Sequence, residues 1–384
     1  MPPGETYRGF EQGPIRPPSE ARSLLIRVSR NCPWNRCAFC PVYKGETFSV
    51  RPVEHVLRDI DTVRRYVDAL RERADGAAQL PGAMLREAMR DTAPEDPEAY
   101  AAAVNWYSNG MQSIFLQDAN ALFMKPPDLV RIVKHLRAAF PFATRITTYA
   151  RAHTVAHRKG EDMRTLAEAG LDRVHIGLES GSDTVLEMMH KGVTQSQHID
   201  AGRKVKAAGM ELSEYYIPGL GGRAFSREHA EQSALALNQM NPDFIRLRTL
   251  AIPRNTPLFQ EWEAGRFEKL NDAEIVEELI VFIKHLDGIT SMVQSDHILN
   301  LFGDLEGPLP AGRERMLDIL RGFLALPPEE RMLYQVGRRL GVFSSLTHLD
   351  TPSRRARAQQ ACQQYGITPD NVDRAIDELM RRFI

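Results

Sequence analysis

Six short runs rich in aliphatic and β-branched residues alternate along this chain with stretches whose apolar residues recur at helical spacing. The runs are Leu24 to Ser29, Ser113 to Leu116, Arg145 to Thr148, Arg173 to Leu178, Leu212 to Ile217 and Phe244 to Leu247. The helical stretches fall roughly at 53 to 70, 126 to 139, 161 to 169, 195 to 208, 226 to 239 and 271 to 286. Gly170 and Gly209 stand where a glycine ends a helix before the next strand. A β-then-α rhythm calls for parallel strands, because a parallel pair needs a crossover rather than a hairpin. Six units suit a partial barrel better than a closed eight-unit one. The expected class is therefore α/β, a partial (β/α)6 parallel barrel with a small helical C-terminal domain.

The rhythm also divides the chain. Residues 1–21 hold Pro2, Pro3, Pro14, Pro17 and Pro18 with three glycines, an irregular lead-in. The barrel is expected over 22–287, with an insertion at about 71–110 that contains Ala93-Pro-Glu-Asp-Pro and a helix-like Tyr100 to Trp106. After about residue 287 strands are expected to stop, leaving a helical domain over 288–384. Near its end Thr368 can cap a helix that starts at Pro369 and carries Val372, Ile376 and Leu379 on one face.

Three of the four cysteines, Cys32, Cys37 and Cys40, lie within nine residues, directly after the first β-run. An odd local cluster in a 384-residue chain argues against a disulfide framework. A structural zinc site wants four closed ligands, usually two Cys-x2-Cys pairs, and Cys37 with Cys40 is one such pair without a second. Three thiolates can instead hold three irons of a 4Fe-4S cluster and leave the fourth iron open. Zinc and inert cysteines remain the alternatives, and Cys362, in a helical-looking Gln359-Gln-Ala-Cys-Gln-Gln, reads as a buried free thiol.

In parallel α/β barrels ligands sit at the C-terminal ends of the strands, and the distinctive motifs follow the predicted strands in order. After the first come the cysteines, after the second Gln117-Asp-Ala-Asn120, after the third Tyr149-Ala-Arg151. The fourth ends in Gly177-Leu-Glu-Ser-Gly-Ser-Asp183, the fifth in Pro218-Gly-Leu-Gly-Gly222, and the sixth in Arg246-Leu-Arg-Thr-Leu. With these motifs residues 22 to 260 resemble the radical S-adenosylmethionine (SAM) superfamily. His175 to Thr194 and Tyr216 to Gly222 are similar to the fourth- and fifth-strand motifs of its methylthiotransferase-like and cobalamin-associated branches.

The resemblance implies roles residue by residue. Cys32, Cys37 and Cys40 would ligate a 4Fe-4S cluster whose open iron is chelated by the amino and carboxylate groups of SAM. Phe39 would lie against the adenine, Glu179 and Ser180 would approach the ribose and methionine ends, and the backbone of Gln117, Asp118 and Asn120 would receive the methionine amino group. Arg246 would partner the methionine carboxylate. Cleaving a sulfonium bond with one electron requires a cluster near the low end of the roughly −700 to +450 mV range open to iron–sulfur proteins. A low-potential donor such as flavodoxin or ferredoxin is therefore an implied partner, and the 5'-deoxyadenosyl radical an implied product.

Two departures qualify the resemblance. Four residues separate Cys32 from Cys37 where the family commonly has three, and Gln117-Asp-Ala-Asn120 replaces the usual Gly-Gly-Glu. A second cysteine cluster and an Asp-x-His-x-x-Gly motif are missing from the sequence, against auxiliary clusters and cobalamin-dependent methyl transfer. A formal charge of −1 gives no case for nucleic acid, and an apolar run of some 18 residues, as a membrane span needs, is absent. The start, Met1-Pro-Pro-Gly-Glu-Thr-Tyr-Arg, lacks the order of an export signal, so a cytoplasmic location is expected.

Other polar residues have two readings. Tyr43, Lys44 and Arg51 face either the active site or solvent at a loop tip, and His297 with Asp296 either serves a substrate or packs at a domain junction. His229 reads as a polar residue at a helix start, and Arg354, Arg355 and Arg357 as a solvated patch. The expected function is reductive SAM cleavage that acts on a small molecule or cofactor precursor. SAM-dependent group transfer through another bond and a non-catalytic iron–sulfur sensor are the alternatives.

Overall fold

The computed structural model describes residues 5–74, 82 and 94–380. The chain divides into two compact units: Met1–Asn35, Val42–His175 and Lys204–Glu211 form the first, and Arg36–Pro41, Ile176–Arg203 and Leu212–Ile384 the second. It is a mixed α/β protein with mostly parallel strands, as the alternating pattern predicts.

In the first unit the elements run β1 (Leu24–Arg27), β2 (Ser29–Arg30), β3 (Ser49–Val50), α1 (Val53–Arg73), α2 (Pro97–Ser108), β4 (Ser113–Gln117), α3 (Pro126–Ala139), β5 (Arg145–Ala150), α4 (Ala152–Ala156) and α5 (Gly160–Glu168). β1 pairs in parallel with β4, Leu24 opposite Ile114 and Arg27 opposite Gln117, and β4 pairs in parallel with β5. α1 buries Val56, Ile60, Val63, Val67 and Leu70, a stripe at alternating steps of three and four, and packs on α2 and α3. α2 starts where Asp96 accepts a hydrogen bond from the Ala99 amide at 3.0 Å, with Pro97 in the first turn. Residues 75–81 and 83–93 of the expected insertion lie outside the described residues; α2 covers its predicted helix.

β2 and β3 pair antiparallel, Ser29 opposite Val50, and so close the base of the loop that bears the cysteines. The lead-in forms a 3-10 turn at Pro18–Glu20 that buries Glu20, whose carboxylate accepts from Ser23 Oγ at 2.5 Å. A proline-rich segment without an apolar stripe thus gains order from buried polar partners and from the buried Phe10.

β6 (Arg173–Glu179) carries the chain into the second unit. There follow α6 (Asp183–Met188), α7 (Gln195–Ala207), β7 (Glu211–Tyr216), α8 (Gly222–Met240), β8 (Phe244–Leu247), α9 (Pro257–Glu263), α10 (Asp272–His285), β9 (Met292–Gln294), β10 (Gly307–Pro308), α11 (Arg313–Ala325), α12 (Pro328–Arg339), α13 (Pro352–Gln364) and α14 (Val372–Met380). β7, β8 and β9 are parallel neighbours. α10 opens with a capping box, Asn271 accepting from the Glu274 amide while Glu274 accepts from Asn271.

Strands do not stop at residue 287. β9 pairs in parallel with β8, Val293 opposite Ile245, and β10 returns antiparallel to β9. The pattern hid them because β9 is three residues long with a single buried apolar side chain, Val293, too short to show a period. The last helix also starts later than Thr368: it begins at Val372, after a turn in which the Asn371 carboxamide oxygen accepts from the Thr368 amide at 2.9 Å and the Asn371 amide donates to the Thr368 carbonyl at 3.1 Å.

Candidate functional site

The strand ends and the loops after them hold the residues singled out in the sequence, and each unit contributes its own set. In the first unit the centre is Asp118, fully buried just beyond β4. Its Oδ2 accepts from Arg27 Nη2 at 2.7 Å and Nε at 3.0 Å, and from the Asn31 amide at 3.2 Å. Its Oδ1 accepts from the Tyr43 hydroxyl at 2.6 Å. Burial and the adjacent Asp118 carboxylate push the Tyr43 phenol far above its usual range, so it is a permanent donor. Tyr43 is therefore buried rather than at a loop tip, and Arg51 is likewise buried, its Nη1 2.6 Å from Asp59 Oδ2.

The neighbours of Asp118 are committed as well. The Gln117 carboxamide accepts from the Gly13 amide at 2.8 Å and donates to the Gly13 and Ile15 carbonyls at 3.1 and 2.6 Å. Asn120 donates to Thr154 Oγ1 at 2.7 Å and accepts from the Arg151 amide at 3.2 Å. These three side chains tie loops together, and the Gln117 and Asn120 carbonyls accept from the Val28 and Phe123 amides at 2.6 and 3.1 Å. Cys32 lies in this unit, its Sγ accepting from the Asn35 amide at 3.5 Å, while Asn35 donates to the Tyr43 carbonyl.

In the second unit Cys37 and Cys40 flank Ala38 and Phe39. The Ala38 amide donates to the Met189 carbonyl at 2.9 Å, and its carbonyl accepts from the Leu258 amide at 3.0 Å. Ala38 is buried in an apolar cluster with Val185, Met189, Ile217, Leu220 and Leu258, and Phe39 packs against it half-exposed. The short Cys37–Cys40 stretch is thus fixed by two backbone hydrogen bonds and one small apolar side chain.

Glu179 ends β6 in the left-handed region at φ 63° and pairs with Lys191 Nζ at 2.5 Å. Ser180 follows, fully buried. His229 Nε2 lies 3.0 Å from the Ile217 carbonyl and therefore carries the proton, so Nδ1 accepts from Ser180 Oγ at 2.8 Å. Burial holds the His229 pKa down to about 4, a neutral imidazole. Its ring stacks on Tyr216, whose hydroxyl donates to Glu278 Oε1 at 3.0 Å. Glu278 also accepts from the Gly219 amide at 2.7 Å and pairs with the Ser226 hydroxyl at 2.6 Å. Burial pushes its pKa up to about 7. A buried polar chain thus ties the loop after β6 and the glycine loop after β7 to α8 and α10.

His229 and Glu278 were not marked as site residues by the motifs, though a signal exists. His229 is in phase with buried Ser233, Ala236 and Met240 of α8, and Glu278 with buried Ile275 and Phe282 of α10. A polar residue on an apolar stripe marks a buried partner. Arg246, 1% exposed, donates from Nε to Ser213 Oγ at 3.1 Å and is paired with Asp296. His297 is half-buried with its pKa held down to about 4 by burial and by the Arg248 charge.

Cys32, Cys37 and Cys40 take part in no disulfide and are half-buried. Among the described residues no group of three or more His, Cys, Asp or Glu side chains stands at metal-binding spacing. The fit to an iron–sulfur cluster therefore rests on donor chemistry: three soft sulfur ligands outside any disulfide, with the Asn35 amide N–H directed at Cys32 Sγ.

Residues 26–232 match the model of the radical SAM superfamily. The chain belongs to that superfamily. It is an enzyme, and members of its superfamily bind a 4Fe-4S cluster and SAM. It is 21% identical over 283 residues to a tRNA uridine(34) acetyltransferase of Methanocaldococcus jannaschii, covering 69% of this chain and 49% of the relative. It is 25% identical over 202 residues to the 4'-phospho-dehydrooxetanocin synthase of Priestia megaterium, covering 51% of this chain and 23% of the relative. The chain thus spans about half the length of the archaeal relative it matches. Among solved structures, coproporphyrinogen III oxidase from Escherichia coli is 14% identical with a TM-score of 0.44, covering 69% of this chain and 52% of that one. No described helix is long and apolar enough to cross a membrane.

Proposed function

We propose that Cys32, Cys37 and Cys40 hold a 4Fe-4S cluster, that SAM binds at its open iron, and that the enzyme acts by reductive SAM cleavage on a small organic substrate. Bound and reduced, the pair supplies a 5'-deoxyadenosyl radical that takes hydrogen from an unactivated carbon. The protein's part is then orientation and exclusion of water rather than acid–base catalysis. The observation that carries this reading is that three cysteines outside any disulfide sit on a loop whose backbone is held, at Ala38, by Met189 at the end of α6 and Leu258 in α9.

Phe39 offers an aromatic face to the adenine, and Glu179, fixed by Lys191 in a left-handed turn, offers a carboxylate to the ribose hydroxyls. Ser180 spends its proton on His229 and orients the loop, so its backbone meets the methionine end. The backbone of Gln117 to Asn120 receives the methionine amino group, since those side chains are engaged elsewhere. Arg246 serves the methionine carboxylate from its place beside Asp296. A formal charge of −1 favours a small substrate over a polyanion, and a flavodoxin or ferredoxin is the expected reductant.

A second reading, transfer of a group through a different SAM bond, is favoured by the extra residue between Cys32 and Cys37. Anaerobic reconstitution followed by reduction with SAM separates the two. Formation of 5'-deoxyadenosine, lost on replacing any of the three cysteines by alanine, is the expected result. Methylthioadenosine favours group transfer, and iron loading unchanged by the triple replacement overturns both.

A further inference from the structure

We infer that Asp118 is a positioning residue for the cysteine loop. Its one buried carboxylate clamps both flanks of the segment: the Asn31 amide, one residue before Cys32, and the Tyr43 hydroxyl, three residues after Cys40. This rests on reading the cysteines as cluster ligands.

Three observations converge on Asp118. Arg27, at the end of β1, holds Oδ2 through two nitrogens, so the carboxylate is anchored to the sheet and not to the loop it clamps. The lead-in then seals it. A Cβ on Gly13 would lie 2.5 Å from Asp118 Oδ1 and 2.7 Å from Cγ, so glycine lets the irregular segment of residues 11–15 lie directly on the carboxylate. The Gln117 side chain holds that segment by three hydrogen bonds to Gly13 and Ile15, and Glu11 beside it pairs with Arg30 at 2.5 Å and with Arg51 at 3.3 Å. Tyr43, finally, is locked at both ends, its hydroxyl on Asp118 and its carbonyl on Asn35 Nδ2.

The chemical consequence follows from what a three-cysteine site requires. Three sulfurs meet one cluster only if the loop between them is held to a narrow range of shapes, and a loop of irregular backbone has no ladder to do this. Hydrogen bonds to a charged acceptor are about twice as strong as neutral ones, which makes a carboxylate the economical clamp. Residues 117–120, which occupy the place of a cofactor-binding motif in the sequence, therefore have a different use for the acidic side chain: it orders the ligand loop, and cofactor contacts fall to the backbone.

The test uses the full chain in two states. In iron-free, reduced protein, the rates at which iodoacetamide labels Cys32, Cys37 and Cys40 are read by mass spectrometry, with buried Cys362 as the internal control. In reconstituted protein, the iron content and the electron paramagnetic resonance spectrum of the reduced cluster are read. Asp118→Asn and the milder Tyr43→Phe are each expected to raise labelling of Cys32 about tenfold, as loss of a charge-assisted hydrogen bond opens the loop, with Cys362 unchanged. Both variants are expected to shift the g values of the cluster at near wild-type iron content, and Asp118→Glu to restore neither fully. Wild-type labelling rates and an unaltered spectrum in both variants overturn the inference. A wild-type chain that takes up no iron refutes the cluster reading instead, while the labelling arm still reports on the clamp.

Discussion

Asp118 in the first unit and Glu278 in the second are both buried carboxyls that secure a loop after a parallel strand, yet their surroundings differ in kind. Asp118 has a guanidinium against one oxygen and a phenol on the other. Glu278 has three neutral partners, the Gly219 amide and the Tyr216 and Ser226 hydroxyls. Its other neighbour, His229, lies 3.8 Å away with its Nε2 proton on the Ile217 carbonyl. Without a cation, burial raises the Glu278 pKa to about 7 and lowers that of His229 to about 4, so the second network is neutral between those two values. The first unit holds its loop by an ion pair whose charges need each other; the second by uncharged hydrogen bonds that survive the loss of any one member better.

Removing the cation tests that contrast most severely. Arg27→Met leaves the Asp118 carboxylate buried without its counter-charge and is expected to cost about 3–5 kcal/mol in urea unfolding at pH 7. Glu278→Gln keeps the shape and hydrogen-bonding capacity of a neutral carboxyl and is expected to cost less than about 1.5 kcal/mol. Equal costs for the two would erase the distinction.

The pH dependence sharpens it further. Glu278, with a folded pKa of about 7 against an ordinary 4.5, contributes stability that is full below pH 4.5 and is lost as pH rises through 7. His229, with a folded pKa of about 4 against 6.5, contributes stability that is full above pH 6.5 and is lost as pH falls through 4. Each swing is worth ~3 kcal/mol at ~1.4 kcal/mol per pH unit, and between pH 4.5 and 6.5 they oppose. Unfolding free energy of the parent should show a weak slope there from this pair. His229→Gln should fall with rising pH and Glu278→Gln should rise; parallel profiles for the two variants would contradict a neutral pair.

How much of this was legible in the sequence depends on length and phase. β1, β4, β5, β7 and β8 were readable because each is a segment of four to six residues at least half apolar, aromatic or β-branched, and α3 was placed at 126–139 because its apolar stripe is regular. β9 was not, for want of length. The cysteine loop announced itself by spacing. Asp118 was visible as a motif residue, but its commitment to Arg27 and Tyr43 depends on pairing across 91 and 75 residues of chain, which local pattern does not encode. His229 was read as a helix-entry residue and proves fully buried, because α8 starts at Gly222 and brings residue 229 onto the inner face two turns later.

Two glycines give the smallest and most local test of how each unit closes over its network. A Cβ on Gly181 would meet backbone, 2.4 Å from the Gln232 carbonyl oxygen and 2.6 Å from Ser233 Cα, whereas one on Gly13 would meet the side chain of Asp118. Backbone inside α8 cannot yield without moving the helix, so Gly181→Ala is expected to lower unfolding free energy by about 1–3 kcal/mol. The lead-in around Gly13 is an irregular surface segment held by side-chain hydrogen bonds, so Gly13→Ala is expected to lift it at a cost below about 1 kcal/mol. The two outcomes separate by location as well as size. Gly13→Ala should speed cleavage after Glu11 by a glutamate-specific protease several-fold while leaving the urea midpoint nearly unchanged, and Gly181→Ala should move the midpoint without selective cleavage there. A Gly13→Ala chain that loses as much stability as Gly181→Ala would mean that the strap over Asp118 is part of the cooperative core, and that the ion pair is protected by global folding rather than by a local seal.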